Sequence, residues 1–301
     1  MKKRFISSIF IVAFTLAFVL LKQVHCLFFD AFALLISVVS LKEIIKAQGE
    51  RAVEKQTQVA LYAVPAIQFL IYHFADLYLT LVLNIALAAV LFIYLMSQDM
   101  AAYARDRKLG ATEPNAEILN QQLFARTKRG MMIFAYPLLP ISFLFALNHL
   151  PYEVGYMGII LTIVIAMLTD TFAYLFGMGF GHNKLIPEVS PKKTIEGCIG
   201  GFVGGLLGAV ICYVVFKFAG WFTVLELVSP GMSICAFLIL GVVGAYITQL
   251  GDLVASAYKR KFGIKDFSNI FPGHGGFMDR VDGQMFVAVV SYIVLTLLFV
   301  V

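Results

Sequence analysis

The sequence predicts an all-α, polytopic integral membrane protein of about nine transmembrane helices, with its N-terminus in the cytoplasm. Three observations carry this. Of 301 residues, 60% are hydrophobic and only 14% are charged, with a mean hydropathy of +0.88, whereas a soluble domain carries about 25% charged residues. The apolar residues gather into nine stretches, roughly 5–21, 24–41, 58–74, 76–97, 130–149, 153–178, 198–219, 232–255 and 284–301. Most approach the ~20 residues that cross a bilayer core. With the N-terminus inside, segments 1–4, 42–57, 98–129, 179–197 and 256–283 hold 21 of the 23 Lys and Arg residues, the bias that orients membrane proteins. Lys22 and Lys217 fall on the other face.

Met1-Lys2-Lys3-Arg4 before an apolar run has the look of a signal peptide. No small-residue cleavage site follows, and Lys22-Gln23-Val24-His25 reads as a short loop, so the run is taken as a first span. Residues 41–57 read as an interfacial helix or an extension of the second span. Residues 98–129 form the longest polar loop, with Arg105, Arg107, Lys108, Glu113, Glu117, Arg126, Lys128 and Arg129. Such a charge run reads first as a solvated face. It ends an N-terminal transmembrane region, 1–129, and residues 130–301 form a second region that carries the chemistry. Cys26, Cys198, Cys212 and Cys235 are scattered among apolar residues, a spacing that fits neither a zinc site nor a disulfide framework. The net charge of +5 suits contact with anionic lipid.

Within this apolar chain, the stretch from Asp252 to Asp282 stands apart. It holds Asp252, Asp266, Asp279 and Asp282, the bases Lys259, Arg260, Lys261, Lys265 and Arg280, and the turn Pro272-Gly273-His274-Gly275-Gly276. Carboxylates bind a hard cation such as Mg²⁺. Lys and Arg bind phosphate oxygens. A Gly-rich turn brings backbone close to a ligand. Together these are the parts for phosphoryl or nucleotidyl transfer. Ser256 follows Asp252 by one helical turn, and Asp279 and Asp282 share a helical face. Asp252, Asp279 and Asp282 therefore read as a hard-cation site, with Arg280 a clamp on phosphate or a partner for a carboxylate. His274 has no His or Cys close in sequence, which argues against a transition-metal role.

A second polar segment lies on the same side of the membrane by this topology. Asp170 sits inside the sixth span, where an acidic residue is costly and points to function. Ser190-Pro191-Lys192-Lys193-Thr194 follows, its hydroxyls and ammonium groups placed to collect phosphate oxygens at a helix start. The glycines at 200, 201, 204, 205 and 208 read as helix-packing positions. Segments 179–197 and 256–283 are joined by a two-span hairpin and are expected to build one site.

The pattern Ser256-x-x-Lys259-Arg260, then Lys265-Asp266-x-Ser268-x-x-Phe271-Pro272-x-His274-Gly275-Gly276-Phe277-x-Asp279-Arg280-Val281-Asp282, resembles the signature of the phosphatidate cytidylyltransferase (CDP-diacylglycerol synthase) family. Asp170, Ser190 to Gly197 and Gln249-x-Gly251-Asp252 resemble it too. The likeness covers about 130–300, and the earlier part only as a set of spans. Tyr258 and Gly283 depart from the usual residues without removing a charge.

The resemblance implies the reaction of CTP with phosphatidate to give CDP-diacylglycerol and pyrophosphate, with Mg²⁺ required and a second, monovalent cation nearby. It implies metal binding by the positions of Asp252 and Asp279, with Asp282 in support. Phosphate-holding candidates are Ser190, Lys192, Lys193, Thr194, Ser256, Lys259, Arg260, Lys265, His274, Gly275, Gly276 and Arg280, with Asp170 and Asp266 as further candidates. Expected partners are CTP, phosphatidate and membrane lipids; nucleic acid is not among them, and a homo-oligomer is compatible. The expected place is the inner or plasma membrane, with the site facing the cytoplasm. Rival readings are another CTP-using lipid enzyme, such as a polyprenol kinase, and a cation transporter with Asp170 and Asp252 as ion ligands.

Overall fold

The computed structural model describes residues 2–49, 53–75, 77–108, 124–218, 223–226 and 228–300. It is helical almost throughout. The helices are α1 (Lys2–Leu21), α2 (Cys26–Ala47), α3 (Lys55–Phe74), α4 (Leu77–Lys108), α5 (Ala125–Ile133), α6 (Leu139–Asn148), α7 (Tyr152–Phe180), α8 (Ile195–Phe218), α9 (Pro230–Lys261), the short α10 (Met278–Val281) and α11 (Gln284–Phe299). The apolar stretches of the sequence coincide with helices; α5 and α6 together make the one at 130–149, joined by a π-helical turn at Phe134–Leu138. Five segments are long and apolar enough to cross a membrane: Leu79–Ala104, Ala125–Asn148, Tyr152–Phe180, Ile195–Phe218 and Pro230–Lys261. Ile9–Leu21 and Gln284–Phe299 are shorter apolar helices. This is a membrane protein by length and composition of its helices.

Two expectations need correction. The fold is nearly all-α, as expected, but a small hairpin stands where a helix start was expected: β1 (Lys184–Ile186) and β2 (Ser190–Thr194) pair antiparallel, Lys184 opposite Thr194 and Ile186 opposite Ser190. Ser190–Thr194 is thus a strand rather than the opening of a helix. Pro191 lacks an N–H, which a two-stranded edge tolerates. The helix starts one residue later, where the Thr194 hydroxyl accepts the Gly197 N–H at 3.1 Å, a capping bond. The polar segment 98–129 is also not one loop. Helix-forming residues such as Ala101, Ala102 and Ala104 carry α4 on to Lys108, and α5 begins at Ala125. Asp99 ties the two, accepting the Thr127 N–H at 2.9 Å and its hydroxyl at 2.7 Å, while Arg126 pairs with Glu54. Glu113 and Glu117 lie outside the described residues.

Glycine positions set the packing around the site. A side chain at Gly204 of α8 would run into the Leu168 carbonyl of α7, and one at Gly205 would come 2.8 Å from the Gly241 carbonyl of α9. Small residues let backbones approach this closely in a membrane, so α8 is wedged between α7 and α9. Gly251 plays the same part against the Asp282 carbonyl, and Gly283 faces Thr248. Both bring the start of α11 against α9. One apolar core runs through the whole bundle, including Phe29 and Ile44 of α2, Phe145 of α6, Ile165 of α7 and Met285 of α11.

Candidate active site

The two polar segments do meet. Lys193 of β2 lies with Nζ 2.8 Å from Asp252 Oδ2 of α9 and donates to the Gln249 carbonyl at 3.3 Å. Arg260 Nε donates to the Val189 carbonyl in the β1–β2 turn at 3.3 Å. Because α9 continues to Lys261, Ser256, Lys259 and Arg260 stand on its last turns. The Ser256 hydroxyl faces Asp252 Oδ1 at 3.4 Å, as one-turn spacing requires. A cavity of about 370 Å³ opens here, lined by Asp170, Tyr174, Lys192, Lys193, Thr194 and Asp252 among others.

The cavity wall carries two carboxylates, Asp170 and Asp252, and two ammonium groups, Lys192 and Lys193. Asp282 senses the charges of Asp252 and Asp170, and is offset by Lys259 and Arg280. Burial, and then those two neighbouring carboxylates, push the Asp282 carboxyl well above the usual range. Asp282 is buried, and its Oδ1 accepts the Gly283 N–H at 2.9 Å. Asp170, Asp252 and Asp282 thus influence one another electrostatically, but among the described residues their oxygens do not gather within 4.8 Å as a set.

Asp279 stands differently. Its Oδ1 receives Lys259 Nζ at 2.8 Å, and its Oδ2 accepts the N–H groups of Phe267 and Gly276, each at 2.9 Å. It is the knot of the 262–282 segment rather than a free ligand. Among the described residues, the carboxylates of Asp252, Asp279 and Asp282 do not close to within 4.8 Å of one another as a set. Gly275, at φ +79°, has no room for a side chain because Asp279 Oδ2 would lie 2.6 Å away. His274 belongs to the same turn, its N–H donating to the Phe271 carbonyl at 2.9 Å. Lys265 and Asp266 lie exposed on the approach to this turn; on the hairpin, Lys192 is exposed and Ser190 half-buried. Arg280 is exposed and borders a narrow apolar cleft walled by Phe14, Phe29, Phe32, Ile159 and Phe271.

Two residues of this site escaped the sequence reading. Glu43, near the end of α2, is buried and accepts the Ser268 hydroxyl at 2.5 Å, the Phe277 N–H at 3.0 Å and the Met278 N–H at 2.8 Å. A buried carboxylate with three donors is satisfied and holds its partners in place. Its one sequence signal was an acid closing an apolar run. Tyr136, in the π-helical turn, stacks between Tyr258 and Phe286, and its buried hydroxyl has no hydrogen-bond partner. Nothing in its apolar surroundings in the sequence marked it out.

A helical membrane protein with a buried acidic and basic site defines the class. The sequence pattern of the Cytidylyltransferase family matches residues 2–298, and the chain belongs to that family. It is 32% identical over 199 residues to a phosphatidate cytidylyltransferase of Staphylococcus saprophyticus, covering 65% of this chain and 72% of that protein. It is 33% identical over 205 residues to one of Staphylococcus epidermidis, covering 66% and 74%. It is 35% identical over 173 residues to one of Staphylococcus aureus, covering 56% and 62%.

Proposed function

We propose that this protein is a CTP:phosphatidate cytidylyltransferase, converting CTP and phosphatidate to CDP-diacylglycerol and pyrophosphate in phospholipid synthesis. The single observation that carries the reading is the meeting of Lys193 with Asp252 beside the cavity, within a chain of this family. A phosphate oxygen of phosphatidate attacks the α-phosphorus of CTP. The new P–O bond forms as the bond to the β-phosphate's bridging oxygen breaks, and pyrophosphate leaves. The lipid phosphate is already ionised near neutral pH, so no strong general base is needed.

Asp252 and Asp282, with Asp170, are the carboxylates that would hold Mg²⁺, which when bound would supply charge neutralisation for the triphosphate and the leaving pyrophosphate. Asp279 joins this set only by releasing Lys259; as it stands, it fixes that ammonium and the turn. The Tyr136 hydroxyl, buried without a hydrogen-bond partner, would offer a neutral oxygen to the second, monovalent cation. Lys192, Lys193, Lys259, Arg260, Lys265 and Arg280 hold phosphates, with Ser190, Thr194, Ser256, His274 and the N–H groups of Gly275 and Gly276 in support and Asp266 at the rim. The apolar cleft ending at Arg280 suits an acyl chain whose phosphate meets that guanidinium.

The same reading has nine spans and a cytoplasmic N-terminus, which puts this site on the cytoplasmic face of the cell membrane. Residues 130–301 carry the reacting groups, and 1–129 supports them through Glu43. Membrane lipids bound to the chain and a homo-oligomer belong to the proposal as well. The test is pyrophosphate release by the purified protein in mixed micelles with CTP, Mg²⁺ and phosphatidate, omitting each in turn. Release that needs all three is expected. Release of CDP with a phosphorylated lipid alcohol instead would replace this reading with a CTP-dependent lipid kinase.

A further inference from the structure

Three side chains that the reaction does not use meet at the other end of α2. Asp30 lies in its second turn, roughly 20 Å along the helix from Glu43 at 1.5 Å per residue. His73 lies in the last turn of α3, and His149 directly follows α6. Asp30 Oδ2 is 3.0 Å from His149 Nε2 and 4.0 Å from His73 Nδ1. All three ligand atoms lie within 4.8 Å of one another. Asp30 is fully buried, while the His73 and His149 side chains are 27% and 19% exposed, enough for an ion and water to enter.

The hydrogen bonds around this group pair His149 with Asp30 and leave one imidazole nitrogen of His73 without a partner. Asp30 Oδ1 is held by the Asn148 amide at 2.7 Å, and that amide also donates to the Cys26 carbonyl at 2.9 Å. Lys22 is turned to Asn148, at 2.6 Å from Oδ1 and 2.9 Å from the carbonyl, so Asp30 Oδ2 faces the imidazoles. His73 Nδ1 is buried without a hydrogen-bond partner. An orphaned imidazole nitrogen aimed at a buried carboxylate is costly unless something sits between them.

We propose that Asp30, His73 and His149 bind a divalent transition-metal ion of the Zn²⁺ type. Two imidazole nitrogens and one carboxylate oxygen are a common ligand set for this ion, with water in the fourth place. Bonds of about 2.0–2.2 Å in a tetrahedron set ligand atoms about 3.3 Å apart. The 3.0 and 4.0 Å separations lie on either side of that value, so shifts below an ångström complete the site. The Asn148 amide fixes the orientation of the carboxylate, as groups behind metal ligands do. The ion ties the ends of α2, α3 and α6 together and is independent of the Mg²⁺ proposed at the reaction centre.

The test uses the full chain in detergent, stripped with a chelator, desalted and then given Zn²⁺ alone. One equivalent of tightly held zinc per chain is expected by elemental analysis, with a rise in Tm. Co²⁺ in its place should give the intense visible bands of a tetrahedral site. His73→Gln and His149→Gln should each weaken zinc binding by more than about 100-fold, beyond the loss typical of supporting groups, and abolish the Tm rise. Asp279→Asn should keep the zinc. Wild-type protein that holds no zinc and shows no tetrahedral cobalt spectrum, or histidine variants that bind as wild type does, would overturn the site and leave a plain His–Asp ion pair. The wild-type cobalt spectrum decides the matter even if a variant fails to fold.

Discussion

Lys193 of β2 and Asp252 of α9 form an ion pair, Nζ to Oδ2, at 2.8 Å. Two segments separated by a pair of long helices are joined there, and the pair stands at the wall of the cavity. It holds the place of a phosphate–metal contact: the ammonium can turn to a phosphate as the carboxylate takes a cation.

Lys193→Ala should therefore raise KM for CTP or phosphatidate by about tenfold, corresponding to about 1.4 kcal/mol of lost binding. Lys193→Arg should recover part of it. Steady-state kinetics with each substrate varied in turn decides this, and unchanged constants would reduce the hairpin to a mark of topology.

Asp279→Asn should lower turnover by about 100-fold or more, the scale seen when a catalytic electrostatic contact is lost. The amide cannot accept from Lys259 and from both the Phe267 and Gly276 N–H groups at once. The protein should still elute as a folded species in detergent. Wild-type turnover in this variant would remove Asp279 from the site.

Glu43→Gln should slow turnover while leaving substrate KM values nearly unchanged, because Glu43 touches the turn and not the cavity wall. Hydrogen bonds to a charged group contribute about 1.5–3 kcal/mol, so amide exchange at Phe277 and Met278, whose N–H groups donate to Glu43, should quicken by at least about tenfold. Exchange measured by mass spectrometry that matches wild type would count against the clamp.

Gly204→Ala should destabilise the protein by about 1–3 kcal/mol, the usual cost of overpacking, and lower Tm. Gly231→Ala, where an added Cβ meets nothing within 4 Å, is the control and should leave Tm unchanged. Equal Tm values for the two would show that α7 and α8 part without cost.

The helices were readable in the sequence because apolar runs of membrane length leave little choice of structure. The site was readable where charges sat in apolar surroundings, as with Asp170 and Asp252. The hairpin at 184–194 was not, since five polar or small residues suit a strand, a turn or a helix start equally well. The division of labour between Asp279 and Asp282 was also hidden. The two lie three residues apart on one helical face, and only the path of the backbone at Phe267 and Gly276 turns one of them into a structural knot. Glu43 was invisible for a related reason: its partners Ser268, Phe277 and Met278 are more than two hundred residues away, and pairing over such distances has no local signal.

Glu43 also decides what the smallest working enzyme is. A fragment that begins at residue 130 carries every charged group expected to touch substrate, yet it lacks the carboxylate that fastens Ser268, Phe277 and Met278. Such a fragment should insert in a membrane and remain inactive. Supplying residues 1–129 as a separate chain in the same cell should restore activity, and supplying them with Glu43→Gln should restore it only weakly. That outcome would make the N-terminal helices a complementing piece, and the active centre a joint product of both.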